Sequence, residues 1–149
     1  MKVAVIDNDR HFQYSFRKKI DEFNVSKKCD DIDVDFFTDS IDFGKSNLKK
    51  YKIIITNIQL PTVQGLQLIH SIKEKTDAYF ALLIPEHKNE YEEILQDERI
   101  VSMFNKNEPI RLIINWLKFM QSRVAIYECH NKIESEYTKC IDHINNIKK

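Results

Sequence analysis

Tyr51 to Gly65 reads YKIIITNIQLPTVQG. Within it Ile53, Ile54, Ile55 and Thr56 form a short, continuous, β-branched run, bounded by Lys50 before and by Pro61 and Gly65 after. That is the pattern of a strand buried on both faces. The strand must stop at Asn57. A sheet covered on both faces needs helices above and below it, and in open parallel sheets ligands and chemistry sit just beyond the carboxyl ends of the strands. Asn57 therefore occupies a site position, and the rest of the chain is read outward from it.

On the amino-terminal side, Lys2 to Ile6 is a first buried strand that ends at Asp7-Asn8-Asp9. Phe12, Phe16, Ile20 and Phe23 recur at steps of three and four, which puts them on one face of a helix over Arg10 to Phe23, with Asp9 as its cap. A polar stretch with Cys29 leads to a second strand, Asp33 to Thr38, and Ser40 is read as the cap of a short helix running to about Lys50. On the other side, Leu66, Leu68, Ile69 and Ile72 form the buried face of a third helix. Tyr79 to Ile84 is a fourth strand, stopped by Pro85. Asn89 to about Gln96 is read as a weakly apolar helix, and Ile100 to Asn105 as a fifth strand ending at Lys106. Strands alternating with helices specify a parallel sheet with right-handed crossovers, and five such units fit an α/β, flavodoxin-like (βα)5 sandwich with strand order 2-1-3-4-5.

The loops resemble those of bacterial response-regulator receiver domains. In that family an aspartate ends the third strand, with a proline four residues later and a glycine four after that; Pro61 and Gly65 match, and Asn57 stands where the phospho-acceptor aspartate is expected. The resemblance covers about residues 1 to 120. It places a pair of metal-holding acids on Asp7 and Asn8, so the second has become an amide. The hydroxyl residue that reads the phosphoryl group falls on Ile84 or Pro85, the switching aromatic on Met103, and the proline after the lysine on Asn107. Lys106 matches. The resemblance thus implies an atypical receiver, a pseudo-receiver of two-component signalling.

Elementary chemistry points the same way. Mg2+ is held mainly by clustered carboxylates, and here only Asp7 is left, with Asp9 turned to its helix cap. An amide is a poor nucleophile, because its nitrogen lone pair is delocalised and its oxygen carries no full charge. Asn57 as a merely tolerated turn residue would not explain changes at so many positions together. Asp7 and Lys106 are expected to pair in the emptied pocket. No metal, no cofactor and no catalytic residue is expected, and the chain is read as a non-enzyme. An active phosphorelay receiver using another acid such as Asp9 is the competing reading.

The final stretch departs furthest. Pro109 and Glu108 suit a helix start, and no Gly or Pro follows. Ile110, Ile113, Ile114 and Leu117 can pack on the domain. A second stripe alternates in steps of four and three through Leu112, Trp116, Phe119, Arg123, Ile126, His130, Ile133, Tyr137, Cys140, Ile144 and Ile147, a heptad seam of about five repeats. Ile113, Met120, Tyr127 and Ile141 widen it. The expectation is a receiver-like domain over residues 1–121 and a coiled-coil extension over 122–149 continuous with its last helix, pairing the chain as a homodimer with the helix orientation open. The competing reading is a short helix followed by a separate one that folds back. Protonation of His130 in such a pair would add repulsion, so association should weaken as pH falls.

Composition sets the remaining bounds. Lys plus Arg and Asp plus Glu stand at 23 each, so no long-range field favours nucleic acid or an anionic membrane. Cys29, Cys129 and Cys140 are an odd count at no framework spacing, which fits a reducing cytosol. Cys129, His130, Cys140 and His143 resemble a zinc set, but Cys129 and His130 point about 100° apart on a helix. Glu86 and His87 at the site edge read as solvated loop residues. No apolar run approaches the ~18 residues of a membrane span. The protein is expected to be cytoplasmic and to act on itself and on another signalling protein.

Overall fold

Five short segments assemble into one parallel sheet around three apolar central strands that are buried along nearly their whole length, while the two edge strands are mostly half-buried. The computed structural model describes residues 1–26, 31–86, 94 and 96–147. Strands β1 (Lys2–Ile6), β2 (Asp33–Phe37), β3 (Ile53–Asn57), β4 (Tyr79–Ile84) and β5 (Ile100–Asn105) lie in the order β2-β1-β3-β4-β5, all parallel. All of β3 is buried, as is β4 after Tyr79. The registers Ile6 to Thr56 and Asn57 to Leu83 bring the carboxyl ends of the three central strands to one edge. This is the flavodoxin-like arrangement that the alternating strands and helices predict.

Helix α1 (Arg10–Ser26) buries Phe12, Phe16 and Ile20 on one sheet face, one more turn than its periodicity predicts. Phe16 meets Phe36 of β2 edge-on, with ring centroids 5.8 Å apart. Burying each such ring contributes about 1.5–3 kcal/mol. On the opposite face α3 (Gly65–Ile72) buries Leu68, Ile69 and Ile72 in a cluster with Ile54, Phe80 and Leu82. Leu66 is only half-buried at its rim.

The second helix corrects the sequence reading. Helix α2 (Ser40–Gly44) is capped by Asp39, whose Oδ1 accepts from the N–H groups of Ile41 at 2.8 Å and Asp42 at 2.9 Å. Ser40 is instead its first residue, buried, with a hydroxyl that finds no hydrogen-bond partner among the described residues. A carboxylate is the stronger acceptor for helix N–H groups, so the chain turns one residue earlier and β2 stops at Phe37. The helix ends at Gly44, and a separate 3-10 turn spans Leu48–Lys50. Cys29, His87 and most of the helix expected over Asn89 to Gln96 lie outside the described residues.

Asp35 of β2 holds this edge of the sheet. It accepts from Lys2 Nζ at 2.6 Å and from the Tyr51 hydroxyl at 2.8 Å, and lies 2.8 Å from Lys50 Nζ. Burial alone would raise its pKa, but these donors outweigh burial and hold the carboxyl well below the ordinary range. A carboxylate depressed in the folded state contributes stability that is fully present above its unfolded value, near pH ~4, and is lost as pH falls through the folded value. Denaturant midpoints should therefore fall between pH 5 and pH 2, less steeply in Asp35→Asn; equal slopes in the two proteins would contradict this role.

The last helix, α4 (Ile110–Ile147), is continuous over 38 residues, so the alternative of two separate helices does not hold. At ~1.5 Å per residue it is about 57 Å long. The chain divides into two compact units, Met1–Ile114 and Asn115–Lys149. Within the first, Ile113 and Ile114 are buried. Along the second, Phe119, Ile126, Ile133, Tyr137 and Ile144 of the stripe are exposed, as are Cys129 and Cys140. None of the described helices is long and apolar enough to cross a membrane.

Candidate functional site

The ends of β1, β3 and β5 converge on one buried carboxylate. Asp7, immediately after β1, has no solvent exposure. Its Oδ1 accepts from the Asp9 N–H at 2.9 Å, from Asn57 Nδ2 at 3.2 Å and from Lys106 Nζ at 3.1 Å. Lys106 Nζ also lies 2.9 Å from Oδ2. That oxygen nevertheless counts as lacking a hydrogen bond among the described residues. The contact of the ammonium with Oδ2 is thus an ion pair by distance, while its hydrogen bond is to Oδ1.

Asn57 is engaged at both ends of its amide. Its nitrogen donates to Asp7, and its oxygen accepts from the Gln59 N–H at 3.0 Å. The local fold explains why: the chain turns sharply out of β3, and an Asn side chain can close such a turn on the backbone two residues on. An aspartate there would lose the donor to Asp7 and set two carboxylates together. With the amide, Asp7 and Lys106 form one neutral pair in a buried site.

The other loop residues divide. Asp9 turns its Oδ1 to the N–H groups of His11 at 3.0 Å and Phe12 at 3.1 Å, which caps α1. The Phe12 N–H holds its carboxyl below the ordinary value, and Lys106, 3.6 Å away, adds to this against the opposing effect of burial. Asn8 is exposed. Ile84 is wholly buried in the core, Pro85 and Met103 are half-buried, and none of the three carries a hydroxyl or an aromatic ring. The Lys106 N–H donates to Ile84 O at 3.1 Å, tying the ends of β4 and β5 together, while Asn107 Nδ2 donates to Glu86 Oε1 at 3.0 Å.

Around this centre lies an open cleft of about 790 Å³, lined by Asp9, His11, Phe12, Asn57, Gln59, Pro85, Glu86 and Lys106 among others. His11, Phe12 and Glu86 line it without any sequence pattern having pointed to Phe12 as more than core. Lys106 Nζ sits 5.3 Å from the Phe12 ring centroid. Gln13 is a further contributor: its Nε2 donates to Asp7 O at 2.6 Å and to Phe37 O at 2.9 Å, bracing the β1 loop. Gly65 is another, because its backbone passes so close to Asn57 that an added Cβ would lie 2.2 Å from Asn57 O.

No protein-family model matches the sequence, and no curated protein matches it. Solved structures do. A two-component response regulator from Clostridium difficile has a TM-score of 0.70 at 17% identity, over 83% of this chain and 98% of that one. The fold is that of a response-regulator receiver domain. DrrB of Thermotoga maritima, an OmpR/PhoB homolog, has a TM-score of 0.66 at 19% identity, over 82% of this chain and 52% of that one, so the chain spans about half of DrrB. The BeF3-activated DrrB receiver domain alone has a TM-score of 0.66 at 17% identity, over 81% of this chain and 97% of that one.

The receiver fold implies a Mg2+ site at these loops, and the residues present do not fit one. Asp7 is the one buried carboxylate at the centre among the described residues, its Oδ1 already accepts from three donors, and an ammonium stands against its Oδ2, while Asp9 is turned to its helix cap. A hard dication needs several oxygen ligands and cannot share that oxygen with a fixed cation.

Proposed function

We propose that the chain is a phosphorylation-independent, receiver-like signalling module, a pseudo-receiver that acts in the cytoplasm by binding other signalling proteins and itself, and is not an enzyme. The observation that carries this reading is the Asp7–Lys106–Asn57 cluster. The acceptor position holds an amide used at both ends, and the Lys106 ammonium stands 2.9 Å from Asp7 Oδ2, the carboxylate oxygen that a metal would need. Incubation with acetyl phosphate and Mg2+ tests it, the expected outcome being no transfer. Without a ligand that binds one conformation better than another, nothing shifts Pro85 after β4 and Met103 in β5 between states.

The competing assignment, phosphorylation of Asp9, draws on one observation: Asp9 lines the cleft beside Lys106. Against it, Asp9 Oδ1 is committed to capping α1. Asp9→Asn would abolish any labelling that used it.

Self-association through α4 is the second part of the proposal. Phe119, Ile126, Ile133, Tyr137 and Ile144 form an exposed apolar line at heptad spacing, the kind of contiguous patch that soluble monomers seldom carry. Burying each such side chain contributes about 1.5–3 kcal/mol, enough together to offset the entropy of association. Arg123 and His130 lower stability while fixing register, as single polar seam residues do. Light scattering at micromolar concentration should give a dimer mass for the full chain and a monomer mass after truncation at Ser122. A monomeric full chain, or a dimer that survives truncation, would refute the seam.

A further inference from the structure

α4 carries its charge unevenly. From Ile110 to Tyr127 the charged side chains are Arg111, Lys118 and Arg123, all basic; from Glu128 to Ile147 the acids Glu128, Glu134, Glu136 and Asp142 outnumber Lys132 and Lys139. A parallel pair would set each half beside a half of its own sign. It would also place Arg123 against the partner's Arg123, because equivalent seam positions face each other in parallel pairs. An antiparallel pair sets the basic half against the acidic half and opposes the two helix dipoles.

We infer that two copies of the chain pair antiparallel along α4, with the two-fold axis passing beside Cys129. The inference rests on the self-association proposed above and adds its direction and register. Facing residues run in opposite directions along antiparallel helices, so one register covers the seam from end to end. Leu112 then faces the partner's Ile144, Phe119 the partner's Tyr137, Arg123 the partner's Ile133, and Ile126 the partner's His130. A slip of one heptad leaves seam residues at one end of each helix uncovered. In this register both polar seam residues meet an aliphatic side chain instead of a like charge. The Arg123 guanidinium reaches past the partner's Ile133 towards the partner's Glu134, whose carboxylate lies 3.3 Å from the His130 imidazole of its own chain.

The two cysteines of α4 report the geometry, since both are exposed. Cys129 stands at the middle of the helix, so antiparallel pairing brings it next to its own copy. The two Cys140 thiols are then about 36 Å apart along the axis, at ~1.5 Å per residue. Parallel pairing sets both cysteines level with their own copies and brings Cys140, a seam residue, directly against its copy, so Cys140 is the thiol that separates the two directions.

The test uses two full-length single-cysteine chains, Cys29→Ser with Cys140→Ala, and Cys29→Ser with Cys129→Ala, each treated with a short bismaleimide after light scattering has shown its mass. The expected result is two dimers, of which the chain keeping Cys129 doubles in mass under denaturing conditions and the chain keeping Cys140 does not. Linkage through Cys140, or dimers that link through neither cysteine, would overturn the antiparallel register while leaving self-association standing. Monomers for the wild-type chain would overturn the self-association beneath it. If Cys140→Ala alone becomes monomeric, linkage of Cys29→Ser with Cys140→Val decides by the same outcomes.

Discussion

Lys106→Met lowers the stability of the receiver-like domain by roughly 3–5 kcal/mol, because it strands a buried carboxylate. Asp7 is wholly buried, and the side chain of Lys106 is 22% exposed, so the pair is only lightly screened by water. After the substitution, the Asp9 N–H and Asn57 Nδ2 still donate to Asp7 Oδ1, but the compensating charge is gone, and the partial exposure of Lys106 places the effect towards the lower end of that range. Replacing both partners, Asp7→Asn with Lys106→Met, removes the uncompensated charge and should recover most of the loss. Urea unfolding at neutral pH reads both effects as midpoint shifts. A single variant within about 1 kcal/mol of wild type would mean that Asp7 is not relying on Lys106.

Gly65→Ala should cost about 1–3 kcal/mol, the range for forcing an extra carbon into a packed site. The added Cβ would lie 2.2 Å from Asn57 O, 2.9 Å from Asn57 C and 3.0 Å from Ile58 Cα, all backbone atoms that no rotamer change can clear. The start of α3 or the loop after β3 must move, and the Gly65 N–H to Ile58 O bond of 3.0 Å must move with it. Amide shifts at Asn57 and Gln59 should change alongside the unfolding midpoint. Gly44→Ala is the control. A Cβ there meets nothing within 4 Å among the described residues, and Ala at a helical position is favoured over Gly by about 0.5–1 kcal/mol. Equal losses at the two glycines would show that the cost is one of backbone freedom and not of close approach.

Much of this fold is legible in the chain because its three central strands are buried on both faces. Tyr79–Ile84 and Ile100–Asn105 run between the boundaries that their apolar stretches and flanking Pro85 and Lys106 indicate. A two-sided strand such as β4 tolerates no polar interruption, so its ends announce themselves, whereas β5, mostly half-buried and with Ser102 inside it, is marked by its apolar start at Ile100 and by Lys106. Local capping is less legible: Asp39 and Ser40 are both good cap residues and adjacent, and the choice between them depends on where the backbone turns. At the site, the ends of β1, β3 and β5 could be placed from the strand pattern, since the topology brings those ends together. The bracing by Gln13 could not, because a glutamine on a helix has no spacing that marks it for two carbonyls of neighbouring strands. The approach of Gly65 to Asn57 was visible only as a glycine after a proline in a chain with 2 glycines.

Signalling without phosphorylation requires that the amide of Asn57 accept no phosphoryl group, in a cluster whose buried carboxylate is already paired with Lys106. Intact-mass spectrometry of the full chain after incubation with acetyl phosphate and Mg2+ addresses this directly. The predicted result is an unchanged mass, with Asn57→Asp likewise unmodified until Asn8→Asp is added to restore metal-binding charge. A wild-type mass raised by one phosphoryl group would contradict the account, and its loss in Asp9→Asn would transfer the acceptor role to Asp9.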